Sequence, residues 1–205
     1  MTVPSSRDTS FVPYIVGTDP EFDKCLPPIL VQEGGYSNDA HDPGGMTDFG
    51  IIQREYDAKR RQWGMPTQWV KKISSDEYRT IYYTDYWLPD CPRLYPGLDL
   101  EVFNMNVNGG PHRSTVLLQE ALKVPADGAF GPVTEAAVKN LWGSREVIDR
   151  FRSDADAFYR SLPTFRYFGT DWLRRDAEID TQADTLDKAL DDFTNNPPKD
   201  IMKES

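Results

Sequence analysis

A carboxylate on the apolar side of a helix, followed at once by a glycine pair, is the arrangement in this chain with the most chemistry in it. Phe22, Leu26, Ile29 and Leu30 recur at the spacing of one helical face, and Glu33 continues the series three residues on. Desolvation disfavours the charged form of a carboxyl group and raises its pKa. A carboxyl that keeps its proton near neutral pH can act as a general acid. Gly34-Gly35 stops the helix, and a polar, turn-rich run from Tyr36 to Asp48 follows, with a second pair at Gly44-Gly45. The sequence thus predicts an acid at a helix end, overlooking a loop that can line a cleft.

Such an acid suits glycoside hydrolysis, in which one carboxyl protonates the leaving oxygen and a second group places water or stabilises the sugar cation. Glu33 fits the first role. Asp42 and Asp48 are candidates for the second, and Thr47 can hold a water through its hydroxyl. Gly34, Gly35, Gly44 and Gly45 let the backbone adopt positive φ and come close to a sugar ring. Tyr82, Tyr83, Tyr86 and Trp87 offer flat faces for stacking. Each feature also has an ordinary reading. A glutamate at a helix end is commonly a salt-bridge partner, Asp42-Pro43-Gly44-Gly45 a turn, the Tyr/Trp cluster core, and Asn104, Asn106 and Asn108 cap and turn residues. The residues alone stop at a helical globular domain with an acidic loop.

The elements that must position these groups are mostly helical. Residues 1–20 are polar, contain two prolines and read as a loose arm. A helix is expected over about 21–33, with Pro27-Pro28 as a place where it restarts. Residues 34–53 read as loop with room for a small hairpin, and 54–63 and 74–87 as helices, the second capped by Ser74 or Ser75. Pro89, Pro92 and Pro96 then break the pattern. Leu100 to Val107 fits helix or strand, with Asn108-Gly109-Gly110-Pro111 as a turn after it. Ser114 is expected to cap a helix carrying Leu117, Leu118, Ala121 and Leu122. Gly131-Pro132 opens another, Ser144 a long one with apolar residues from Val147 to Leu162, and a last helix is expected from about Asp171. Asn195 to Ser205 reads as a frayed tail.

Composition bounds the partners. Of 205 residues, 39% are hydrophobic and 12% aromatic, as in a folded protein, and the net charge is −10. That charge argues against nucleic-acid binding and against adhesion to anionic membranes. No apolar run is long enough for a membrane span, and Met1 to Ser10 has no apolar core of a secretory signal. Two cysteines, Cys25 and Cys91, do not make a disulfide scaffold, and buried thiols are expected. His41 and His112 lie far apart with no ligand at metal-binding spacing, so no metal or other cofactor is expected.

Several motifs in order carry a family resemblance. Glu33-Gly34-Gly35-Tyr36, Asn38-Asp39, Asp42-Pro43-Gly44-Gly45, Thr47 and Gly50-Ile51 resemble the signature of glycoside hydrolase family 108, N-acetylmuramidases found among phage endolysins and in a bacterial toxin-secretion system. Tyr83 to Trp87 is similar to the family's Tyr-x-x-x-Trp, and Phe103 to Gly110 to its Phe-Asp-x-x-Val-Asn-x-Gly. Leu118-Gln119, Asp127-Gly128, Gly131-Pro132 and Thr134 resemble its peptidoglycan-binding half, and Gly169 with Trp172 to Arg175 its closing motif. Asn104 stands where the family has Asp, Asp48 where Asn is common, and Ala40 replaces a usual proline.

The resemblance covers about residues 22–176. It implies a mainly α, lysozyme-like fold: a helical bundle with a small loop or hairpin lobe over a substrate cleft. A catalytic region at 21–110 would be followed by a helical peptidoglycan-binding-like region at 111–192 and a tail at 193–205. It implies cleavage of the β-1,4 bond between N-acetylmuramic acid and N-acetylglucosamine, with Glu33 as acid and Asp42 or Thr47 completing the displacement. Gly34, Gly35, Gln53, Tyr86, Trp87, Asn104 and Asn108 are expected to line the groove. The partners expected are peptidoglycan glycan strands, with the protein a monomer. It would be made in the cytoplasm and reach the wall through a holin or a dedicated secretion pathway. Two alternatives stay open: a lytic transglycosylase leaving anhydro-muramic ends, and a wall-binding module without catalysis.

Overall fold

The computed structural model describes residues 11–33 and 47–195, without the side chains of residues 32, 33, 47 and 189–195. The chain forms two compact units that divide between Asp85 and Tyr86. The fold is mainly α and lysozyme-like, with eight α-helices and one two-stranded hairpin among the described residues. No described helix is long and apolar enough to cross a membrane.

In the first unit, α1 (Pro20–Glu33) starts where the sequence predicts. Asp19 Oδ1 accepts from the Phe22 N–H at 3.1 Å, and Pro20 takes a first-turn position that needs no donor. The helix does not restart at Pro27-Pro28 but runs through them, although each proline removes a backbone donor. What holds it is burial: Phe22, Cys25, Leu26 and Ile29 are all enclosed. Residues 11–19 are not a loose arm. Tyr14 N–H donates to Thr80 Oγ1 at 2.8 Å, and the Tyr14 ring meets Phe22 and Tyr83 at 4.8 and 4.6 Å. The expected hairpin is present as β1 (Thr47–Asp48) and β2 (Ile51–Ile52), antiparallel, with Asp48 opposite Ile51. Its two-residue turn places Phe49 and Gly50 at φ +49° and +71°. Phe49 is held in that uncommon conformation from both ends. Its ring stacks on Tyr78 at 4.5 Å, and its carbonyl accepts from the Tyr82 hydroxyl at 2.8 Å.

Helices α2 (Gln53–Gln62) and α3 (Ser75–Ile81) are joined by a buried polar network centred on Glu77. Ser74 is the cap, in a capping box with Glu77. Glu77 Oε2 also accepts from the Tyr56 hydroxyl at 2.9 Å, and its other oxygen pairs with Arg60. Arg60 Nε donates to Pro66 O at 2.6 Å, which fastens the connection after α2. The chain then widens through a π-helical turn, Tyr82–Trp87, within the stretch expected to be helix.

The second unit is built around α4 (Leu98–Gly109). Its residues from Leu98 to Asn106 are buried on every side, and α5 (Pro111–Ala121), α7 (Arg145–Ser161) and α8 (Phe165–Asn195) pack against it. This explains why its sequence fits two periods: a segment buried all round has no polar face to set one. The turn expected at Asn108–Pro111 narrows to Gly110, at φ +82°, because Asn108 and Gly109 finish α4. Ser114 is not a cap. Pro111 opens α5, and the buried Ser114 hydroxyl donates to Val102 O at 3.2 Å. Helix α8 begins six residues earlier than the expected Asp171. Helix α6 (Pro132–Asn140) is tied on by Gln119, whose Nε2 reaches Asp127 Oδ1, Ala129 O and Thr134 Oγ1 at 2.8 to 3.0 Å. Gln119 Oε1 accepts from Gly128 N at 2.8 Å. Gly128 is at φ +73°, and a Cβ there would lie 1.9 Å from the His112 ring.

Candidate active site

Glu33 is the last residue of α1. The helix therefore sets its backbone at the end of a fully buried apolar stripe, as the spacing of Phe22, Leu26 and Ile29 predicts. Gly34, Gly35 and Asp42 lie outside the described residues, as do His41 and the glycine pair Gly44-Gly45. Thr47 is the first residue of β1 and pairs with Ile52. Asp48, the other candidate on this stretch, is buried at 8% exposure in the hairpin.

The remaining expected groove residues have structural partners. Gln53 Nε2 donates to Asp57 Oδ1 at 2.9 Å and to Gln68 O at 2.8 Å, and its Oε1 accepts from Val70 N at 2.7 Å. These bonds engage the whole amide and pin the 63–70 connection onto α2. Tyr86 is half-buried, and its carbonyl accepts from Asn106 Nδ2 at 2.7 Å. Trp87 is 1% exposed, with its ring edge-on to Phe103 at 5.3 Å, so it fills core and leaves no face for a sugar.

Asn104 and Asn108 are brought together one helical turn apart on α4. Asn108 Nδ2 donates to Asn104 Oδ1 at 2.9 Å, Asn104 Nδ2 donates to Asp176 Oδ1 at 2.7 Å, and Arg175 Nη2 lies 3.4 Å from Asn108 Oδ1. Asn104 is 6% exposed and belongs to the packing of α4 on α8. Burial pushes the Asp176 carboxyl up to about 7. Asp180 and Asp156 add to the rise, while the Asn104 hydrogen bond and Arg175 oppose it. An aspartate at 104 would set another carboxylate against Asp176. The amide there instead supplies a neutral donor, which gives the departure from the family pattern a local reason.

Buried ionic groups extend along the same helices. Arg152 on α7 lies 2.6 Å from Glu101 on α4, 3.1 Å from Asp180 and 2.8 Å from Asp184 on α8. Asp90 accepts from the Thr115 hydroxyl at 2.6 Å, and burial raises its pKa against that bond and the nearby Arg93. Cys25 and Cys91 are buried thiols, one in each unit. Among the described residues, no three His, Cys, Asp or Glu side chains come together as a metal site. Sequence reading did not single out Asp176 or Arg152. The signal was present in the spacing of Asp176, Asp180, Asp184 and Asp187, an acidic stripe beside Ile179 and Ala183 on one side of α8.

Residues 26–110 match the family model described as glycosyl hydrolase 108. Among solved structures, SagA of Brucella abortus superposes with a TM-score of 0.72 at 28% identity, covering 81% of this chain and 95% of that one. No curated protein matches the chain. The matched segment holds α1 from its second turn onward, the hairpin, α2, α3 and all of α4. Residues 26–110 thus carry a glycosyl hydrolase 108 domain, and the chain is a glycoside hydrolase.

Proposed function

We propose that the chain is a peptidoglycan hydrolase of muramidase type. It cuts the β-1,4 bond between N-acetylmuramic acid and N-acetylglucosamine, with Glu33 as general acid. One observation carries the reading: the glycosyl hydrolase 108 match begins inside α1 and takes in Glu33, the last residue of a helix whose apolar stripe is buried. A carboxyl at a helix C-terminus stands at the negative end of the backbone dipole, and the last turn of α1 contains no basic residue to offset it. Glu33 gives its proton to the glycosidic oxygen as the bond to the departing sugar breaks. A water then adds to the anomeric carbon, held by Thr47 or activated by Asp42, and its proton leaves to the loop or to solvent. Residues 111–192 supply a wall-binding region.

The test is mass spectrometry of purified peptidoglycan after digestion by the unsubstituted protein and by Glu33→Gln, which keeps the side-chain shape and removes the acid. Reducing N-acetylmuramic acid ends from the unsubstituted protein are expected. Turnover by the variant should fall at least about a hundredfold, the usual scale for a general acid. Near-normal turnover by Glu33→Gln would remove Glu33 from the chemistry. Anhydro-muramic ends would make the enzyme a lytic transglycosylase, and absence of fragments would leave a wall-binding module.

A further inference from the structure

Charge along α8 changes sign. From residue 158 to 175 the chain carries four arginines and one aspartate among six aromatic residues, whereas residues 176–195 carry seven carboxylates and one lysine. In a protein of net charge −10 the first stretch is locally basic, with Arg174 paired to Glu178 at 2.7 Å. It is also exposed: Tyr167 and Phe168 are 66% and 53% accessible, far from the usual burial of such side chains.

The rings form one connected row across α7 and α8. Phe158 meets Tyr159 at 5.8 Å, Tyr159 meets Trp172 at 5.9 Å, and Trp172 meets Phe168 at 6.0 Å with their planes 33° apart. Gly169 is needed here, since a Cβ would lie 2.5 Å from the Phe165 ring that rests over it. Guanidinium groups sit over the outer rings: Arg113 over Phe158 at 5.0 Å and Arg166 over Tyr167 at 4.6 Å. Beside Phe158 opens a groove of about 540 Å³ at the start of α5, lined by Gly110, His112 and Arg113. The surface therefore joins two kinds of recognition. The exposed Phe168 ring beside Trp172 offers a flat face to a neutral sugar ring, and the flanking guanidiniums suit carboxylates in the paired geometry that planar donors favour.

We propose that this face, made by Phe158, Trp172, Phe168, Tyr167, Arg113 and Arg166, docks the peptidoglycan strand by its sugar rings and by the carboxylates of its peptide stems. The proposal rests on the reading that peptidoglycan is the substrate, and it locates wall attachment on the second unit. Charge complementarity chooses the occupant. A molecule of net charge −10 is repelled as a whole from an anionic bilayer, whereas single carboxylates on a neutral glycan meet only the local arginines.

The test uses the full chain in a Glu33→Gln background, so that binding is read without cleavage. Sedimentation is measured with intact sacculi, with sacculi stripped of peptide stems by an amidase, and with phosphatidylglycerol vesicles. The double variant Arg113→Gln/Arg166→Gln should bind intact sacculi about tenfold more weakly and stripped sacculi unchanged, as expected for lost charge-assisted bonds. Phe168→Ala should weaken both by about fivefold. All these side chains lie on the surface, and an unchanged unfolding midpoint shows that the fold is intact. Sacculus binding indifferent to every variant overturns the proposal, as does tighter binding to vesicles than to sacculi. If the enzyme with Glu33 intact still releases fragments from the same sacculi, only the docking surface fails. If it releases none and nothing binds, the peptidoglycan reading fails with it.

Discussion

Replacing Asp176 by Asn keeps an oxygen to accept from Asn104 Nδ2 and removes a titratable group from the packing of α4, α7 and α8. The Asp176 carboxyl has its usual value of 3.8 in the unfolded chain and about 7 in the folded one. Its surroundings give the reason. It is 9% exposed, Asp180 on its own helix and Asp156 on α7 raise it further, and Asn104 and Arg175 offset only part. Between those two pH values the folded protein retains a proton that the unfolded chain has released. The unfolding free energy therefore falls as pH rises through this window and levels off above about 7. At 1.36 kcal/mol for each tenfold difference in proton affinity, the cost at pH 8 is about 4 kcal/mol, an upper bound because local rearrangement and water entry relieve part of it. Asp176→Asn should match the unsubstituted protein near pH 4 and exceed its stability by about 2–4 kcal/mol at pH 8. Urea unfolding followed by far-ultraviolet circular dichroism at pH 4, 6 and 8 measures the gap. A gap that does not widen with pH, or a variant less stable at pH 8, refutes the assignment of a costly buried carboxyl at this position.

Two further substitutions probe what holds each unit. Glu77→Ala leaves Arg60 buried without its carboxylate and the Ser74 cap without its partner, so it should cost about 3–5 kcal/mol in urea unfolding. A loss below about 1 kcal/mol would mean that the network is not needed. Gln119→Ala removes the amide whose nitrogen and oxygen tie Asp127, Gly128, Ala129 and Thr134 together. It should destabilise the second unit by about 3 kcal/mol and speed hydrogen exchange in α6, while exchange in α2 stays unchanged.

The stretch from Leu118 to Thr134 shows how local reading and tertiary structure divide the work. Leu118-Gln119, Asp127-Gly128 and Thr134 are visible in sequence as separate signals for a helix, a turn and a helix start. That one glutamine amide satisfies all three polar ends is a property of the fold. The same holds for Gln53 and Trp87. Their types suit a sugar groove, yet both are engaged in packing, because an amide or a ring can serve either purpose and the chain has no local feature that distinguishes them.

By itself the sequence determined the mainly helical class, the end of α1 at Glu33, a serine cap at Ser74 or Ser75 and the long amphipathic α7. Each follows from short-range rules: spacing on one face, a side chain within reach of nearby backbone donors, and glycine after the last turn. Tertiary structure decided the rest. It made Leu98–Gly109 a helix by enclosing it on all sides, and it kept α1 continuous through two prolines because the buried stripe outweighs two missing donors. It also raised the Asp176 carboxyl, by burying it against α4 and α7 and bringing Asp156 of α7 close to it. Burial and the field of distant charges depend on which elements meet, and no window of sequence contains that information.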